Sequence, residues 1–208
     1  MSSLKLSTFI VLNAMICANA AHALPPYWEN GSFLAPVPKA GTFAVVDVGE
    51  RYGTWRVVGA SGNVAWTSGS YTHGGLSFPA QGGTSKTWVN LAAISRTATG
   101  IAHAPVPTIV GQRYTLTFYV GNIVDPSGLY GTSSSVKVYE NARLLGVSSN
   151  SSGAGTNTET WQQFSLAFDA DALWTTIAFV NGDPPGDMNC GIDTVVFGPG
   201  AASRSKGF

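Results

Sequence analysis

Charge is scarce in this chain. Of its 208 residues only 11% are Asp, Glu, Lys or Arg, and the two signs cancel at eleven each. A globular domain ordinarily carries about 25%, so the polar surface must be built largely from Ser, Thr, Asn and Gly. The missing basic excess excludes a nucleic-acid partner, because affinity for a phosphate backbone comes from cations that release its counterions. The missing acidic tract excludes a solvated tail. Disorder is excluded from the other side, since 44% hydrophobic and 11% aromatic residues supply ample apolar surface for a core.

Cysteine is almost absent too, with Cys17 and Cys190 the two present. Cys17 lies in a segment, residues 1–23, that reads as a secretory signal peptide. Lys5 precedes an apolar run from Phe9 to Ala18, and small residues follow in A-x-A spacing at Ala18-Asn19-Ala20 and Ala21-His22-Ala23. The run is shorter than the roughly 20 residues of a spanning helix, and Asn13 interrupts it. Cleavage after Ala23 is therefore expected in place of a membrane anchor, with the mature protein secreted, periplasmic or at the cell surface. It would leave ten cationic side chains against eleven acidic ones, a net charge of −1. Cys190 would then have no internal disulfide partner, and it reads as a small buried hydrophobe.

Helical periodicity is also missing beyond residue 24. Short period-two runs stand in its place, separated by Gly, Pro, Asn and Ser. The clearest spans 113–121, where Tyr114, Leu116, Phe118 and Val120 alternate with Arg113, Thr115, Thr117 and Tyr119. Further strands are expected over 43–48, 54–58, 63–67, 87–91, 134–139, 161–168, 175–181 and 192–197, with loops over 68–86, 122–133 and 147–160. Strands without crossover helices indicate an all-β antiparallel sandwich. The expected organisation is one domain over 24–200 and a short tail over 201–208. An outer-membrane barrel is disfavoured, because the inward positions are apolar where a barrel lumen is polar.

Several motifs recur in a characteristic order. Asn30-Gly31-Ser32-Phe33 opens the domain, followed by Gly53-Thr54-Trp55-Arg56-Val57, Gly62-Asn63-Val64-Ala65-Trp66 and Trp88-Val89-Asn90-Leu91. The strand launched by Gly111-Gln112 and the segments Trp161-Gln162-Gln163-Phe164 and Cys190-Gly191-Ile192-Asp193-Thr194-Val195 complete the set. In this order the chain resembles the galactose-binding-domain-like jelly roll. Within it, the chain is most similar to a "domain of unknown function" group of exported bacterial and plant cell-wall proteins, related to carbohydrate-binding modules. The resemblance covers roughly residues 28–198. It implies a jelly-roll β-sandwich and one structural Ca²⁺ where the opening turn meets the closing strand, with Asp193 as the matching ligand and Asn30 or nearby backbone carbonyls assisting. The chain departs from the group at Leu34, where an acid is common, and at Asp193-Thr194, where two acids are common.

Catalytic patterns are lacking. Glu140, Glu159, Asp183 and Asp187 form no marked carboxylate pair. His73 and His103 could not hold zinc without carboxylate help, and no nucleophile elbow occurs. The expectation is a protein that is not an enzyme.

A surface poor in charge and rich in Ser, Thr, Asn and aromatics suits a neutral glycan, whose apolar ring faces stack on aromatic side chains. Trp88, Tyr119, Tyr130, Tyr71 and Trp66 are the stacking candidates and Asn122 the polar partner. The expected function is non-catalytic binding of cell-wall or extracellular polysaccharide. The alternatives are a structural or adhesive matrix protein and, third, a polysaccharide-active enzyme.

Overall fold

The structure is a computed structural model that describes residues 28–83 and 86–200. The expected signal peptide, its cleavage site and the tail over 201–208 lie outside these residues.

The described chain is built from strands, in order β1 (Phe43–Asp47), β2 (Arg51–Tyr52), β3 (Trp55–Val58), β4 (Asn63–Ser68), β5 (Thr72–His73), β6 (Leu76–Ser77), β7 (Thr87–Asn90) and β8 (Gly100–His103). They continue as β9 (Val106–Pro107), β10 (Arg113–Asn122), β11 (Ser134–Glu140), β12 (Arg143–Asn150), β13 (Thr160–Asp169), β14 (Trp174–Thr175), β15 (Ile177–Asn181) and β16 (Gly191–Pro199). Two six-stranded antiparallel sheets are stacked on each other, in the orders β1-β4-β7-β16-β10-β13 and β12-β11-β15-β8-β3-β2. Among the described residues no helix is long and apolar enough to cross a membrane.

Each of the nine strands expected from alternation is present. The clearest, β10, buries Tyr114, Leu116, Phe118 and Val120 while Thr115, Thr117 and Tyr119 stay half-buried on the other face. The core lies between the sheets, where burial removes apolar side chains from water. Phe118 of one sheet meets Phe179 of the other at a ring separation of 5.1 Å, and Trp66 meets Tyr52 at 4.6 Å. Trp55 is fully buried and donates its indole N–H to the Asn30 carbonyl at 3.0 Å. The opening turn thus stitches onto the second sheet.

Two substantial strands are additions to the sequence reading. β8 lies inside the second sheet between β15 and β3, and β12 forms an edge over residues partly expected as loop. The expected loop over 68–86 also contains the β5–β6 hairpin. Gly100 opens β8 because a Cβ there would lie 2.2 Å from the Phe179 carbonyl oxygen. Only glycine permits so close a strand approach.

The outer face of the first sheet carries a second, smaller core made of Leu76, Phe78, Ala80, Trp88, Ile123 and Tyr130. The segment around β5–β6 and the loop after β10 fold back over the sheet to form it.

Candidate ligand-binding cleft

Cross-strand register sets the floor of a cleft on this outer face. Phe43 pairs with Thr67, Thr67 with Trp88, and Ala65 with Asn90. Paired residues share a face, so Ala65 and Thr67 form a low strip between larger neighbours. The chain after β4 returns above that strip and supplies one aromatic wall. Tyr71 meets Phe43 edge-on at 5.3 Å and lies near-parallel to His73 at 6.4 Å. Phe78 packs on Tyr130 at 5.3 Å. Ile94 and Met188 line the cleft as well.

The wall is anchored by hydrogen bonds to sheet residues. The Trp88 indole N–H donates to the Phe78 carbonyl at 3.1 Å, fixing the returning chain to β7. Asn90 is fully committed: it donates to the Met188 carbonyl at 2.7 Å and accepts from the N–H groups of Ala92, Ala93 and Cys190. The Thr67 hydroxyl donates to the Ala65 carbonyl. The floor is therefore apolar in character, and Tyr71, His73 and Tyr130 bring the cleft's hydroxyl and imidazole groups.

A second cleft adjoins the first. His73 and Tyr130 line both, and Leu76, Asp125, Ser127 and Leu129 complete the second. Asp125 accepts hydrogen bonds from the Ser127 hydroxyl and from the N–H groups of Ser127 and Tyr130. Partial desolvation pushes its pKa up, but these hydrogen bonds outweigh it and hold the carboxyl below its ordinary value.

Three of the sequence-predicted residues converge here, namely Tyr71, Trp88 and Tyr130. Their roles differ. Tyr71 is half-buried on the wall, whereas Trp88 is 1% exposed and is floor, not a platform that a ligand could cover. Tyr130 is mostly buried between the two clefts, and burial together with Tyr71 and nearby carboxylates raises its phenol pKa to about 12.

The other candidates lie elsewhere. Trp66 is a correction: it is fully buried between the sheets against Phe33 and Tyr52. Its strand β4 is covered on both faces, so no side of it is free for stacking. Asn122 is a second correction, fully buried at the end of β10, where it donates to the Ser134 hydroxyl and accepts from the Gly153 N–H. Tyr119 does face outward, half-buried beside Asp193 and Gln163, but is not part of either cleft.

Asp193 and Asn30 serve different backbone segments. The Asp193 carboxylate accepts the Gln81 N–H at 2.8 Å and the Thr194 N–H at 2.6 Å. The Asn30 carboxamide is closed on Ala35, accepting its N–H at 3.0 Å and donating to its carbonyl. The opening turn does meet the closing strand, through the Val195 N–H donated to the Gly31 carbonyl at 2.7 Å. Among the described residues no group of three His, Cys, Asp or Glu gathers as a metal centre.

Beside the clefts the same outer face buries two acids. Glu159 is covered by Trp161 and accepts one hydrogen bond, from Asn189 at 3.0 Å. Burial raises its pKa to about 8, and burial raises that of Asp193 to about 7. Sequence reasoning missed Phe43, His73, Ile94 and Asp125 as cleft residues. Phe43 and Val45 point outward from β1 as exposed apolar residues, and two such residues on one face are the signal that could have found this wall.

No protein-family model matches the chain, and no curated protein does. Solved structures do. A cyclase from Fischerella sp. TAU is similar with a TM-score of 0.56 at 15% identity, over 86% of this chain and 98% of that one. A Stig cyclase from Fischerella sp. TAU in complex with (3Z)-3-(1-methyl-2-pyrrolidinylidene)-3H-indole reaches 0.52 at 14% identity, over 84% and 96%. What is shared is the fold. The structures found also include a family 35 carbohydrate binding module from Clostridium thermocellum, at a TM-score of 0.44 and 14% identity, over 75% and 96%. The chain's own two stacked sheets make it an antiparallel β-sandwich, as the alternation in its sequence implies.

Proposed function

We propose that this protein is a non-catalytic, extracellular glycan-binding protein whose site is the cleft walled by Tyr71. One observation carries the reading: Tyr71, Trp88 and Tyr130, chosen from sequence for sugar stacking, line the same cleft together with Phe43 and His73. An aromatic wall over an apolar floor suits the C–H face of a pyranose ring. Tyr71, Tyr130 and His73 bring polar groups that suit its hydroxyls. Such a combination of mostly apolar lining and few polar groups is the common build of a small-molecule site. Secretion fits the signal-like N-terminal sequence and a charge-poor surface.

Affinity electrophoresis against a panel of soluble polysaccharides tests this. Retardation by at least one of them, lost in Tyr71→Ala while the thermal transition is retained, is expected. Free migration through every polysaccharide would overturn the reading.

A further inference from the structure

Resting on that glycan reading, we propose that the two clefts form one groove for an extended sugar chain, and that Asp125 selects residues bearing an amino group over residues bearing a carboxylate. The two clefts share His73 and Tyr130 as wall residues. A ligand that fills the first is therefore adjacent to the second. The first cleft offers ring faces and the second offers a carboxylate, so successive residues of a chain meet different chemistry.

The charge distribution is one-sided. No Lys or Arg is among the described residues lining either cleft, and Asp125 is the sole acid. Its hydrogen bonds from Ser127 and Tyr130 stabilise the ionised form and hold it in the second cleft. A uronic acid there would bring a second negative charge, with no Lys or Arg among the described lining residues to compensate it. An ammonium group would pair with Asp125, and a neutral sugar would fall between the two. Because the site is open to solvent, the ion pair is expected to contribute only about 1.4- to 5-fold in affinity. Salt should screen this contribution and leave stacking untouched.

The test compares chitosan, hydroxyethyl cellulose and carboxymethyl cellulose, three polymers with the same β-1,4 backbone but positive, neutral and negative charge. Binding is measured by affinity electrophoresis and by calorimetry with hexamers and monomers, for wild type and Asp125→Asn. Expected affinities fall in the order chitosan, hydroxyethyl cellulose, carboxymethyl cellulose, and each hexamer binds at least about tenfold more tightly than its monomer. Asp125→Asn should collapse the charge order among the three polymers. In case that variant loses its loop, wild type alone must lose the chitosan preference when salt is raised to about 1 M, where the screening length is about 3 Å. Equal binding of the three polymers, a salt-independent preference, or monomers that match hexamers would overturn the proposal. So would retention by another neutral polysaccharide with none of these three bound. Failure of the glycan reading itself looks different, because then nothing in the wider panel is retained.

Discussion

Asn189 donates one hydrogen bond of 3.0 Å to Glu159, and both side chains are buried, the carboxyl beneath Trp161. The remaining oxygens, Glu159 Oε2 and Asn189 Oδ1, meet no hydrogen-bond partner among the described residues. The carboxyl rests on bare backbone, because Gly121 and Gly191 face each other in register beneath it. A neutral carboxyl is the cheaper form in such a place, since an ionised one loses its hydration.

This relationship predicts the pH dependence of stability. Burial holds the Glu159 pKa at about 8 in the folded chain, above its ordinary 4.5. The folded state then keeps a proton that the unfolded state has released, so stability falls as pH rises through that interval. Asp193, raised by burial from 3.8 to about 7, acts in the same direction. Thermal unfolding should therefore occur at a higher temperature at pH 5 than at pH 8.5. Glu159→Gln should flatten much of this slope, and an unchanged slope would show that Glu159 does not carry it.

Glycine substitutions should sort by what their new Cβ meets. At Gly121 it would lie 2.3 Å from Glu159 Oε1 and 2.9 Å from the Trp161 ring, and at Gly100 2.2 Å from a backbone oxygen. Gly121→Ala is expected to cost about 1–3 kcal/mol by overpacking, and Gly100→Ala more, since a paired strand cannot yield as a side chain can. Gly198 has nothing within 4 Å and no positive φ, so Gly198→Ala should change little. Denaturant titration of the three variants checks the ranking.

Trp88 and Tyr71 should separate stability from binding. Trp88→Ala removes a buried ring and is expected to destabilise by about 3–5 kcal/mol. Tyr71→Ala should abolish retardation by polysaccharide at a smaller cost in stability. Trp174 is 61% exposed and lies outside both clefts, so Trp174→Ala should stay within about 0.5 kcal/mol of wild type and bind normally.

Cys190 is fully buried, and burial with the nearby Asp183 carboxylate raises its thiol pKa well above the ordinary value. The thiolate is the reactive form. A disulfide reagent at pH 8 should therefore label this cysteine only as the chain unfolds, and prompt labelling of the native protein would contradict its placement.

Much of the sheet framework was legible because alternation survives wherever one face is covered differently from the other. In β10 the inward row is apolar and the outward row is Thr and Tyr, so both strand and facing could be read. β4 is different. From Val64 to Ser68 every residue is buried, because the hairpin segment covers the outer face while the second sheet covers the inner. Alternation is erased there, and the inward facing of Trp66 could not be told from sequence. β8 was missed because four residues that begin with glycine resemble a turn. β12 was missed because it is an edge strand, rich in Ser and with Leu144 and Val147 exposed.

Local pattern was therefore enough to determine an all-β sandwich and nine of its strands, while composition recorded few cysteines and a good supply of aromatic residues. Which aromatics meet was decided only by tertiary structure. Phe43 and Tyr130 are 87 positions apart in the numbering, yet they line one cleft because the β5–β6 segment and the loop after β10 fold back over the same face of the sheet. Period-two patterning reports the face on which a side chain lies, but not what folds back over that face. The scarcity of charge follows the same division: composition determined that few charges exist, while the fold placed Asp125 in the second cleft, with no Lys or Arg among the described residues lining it.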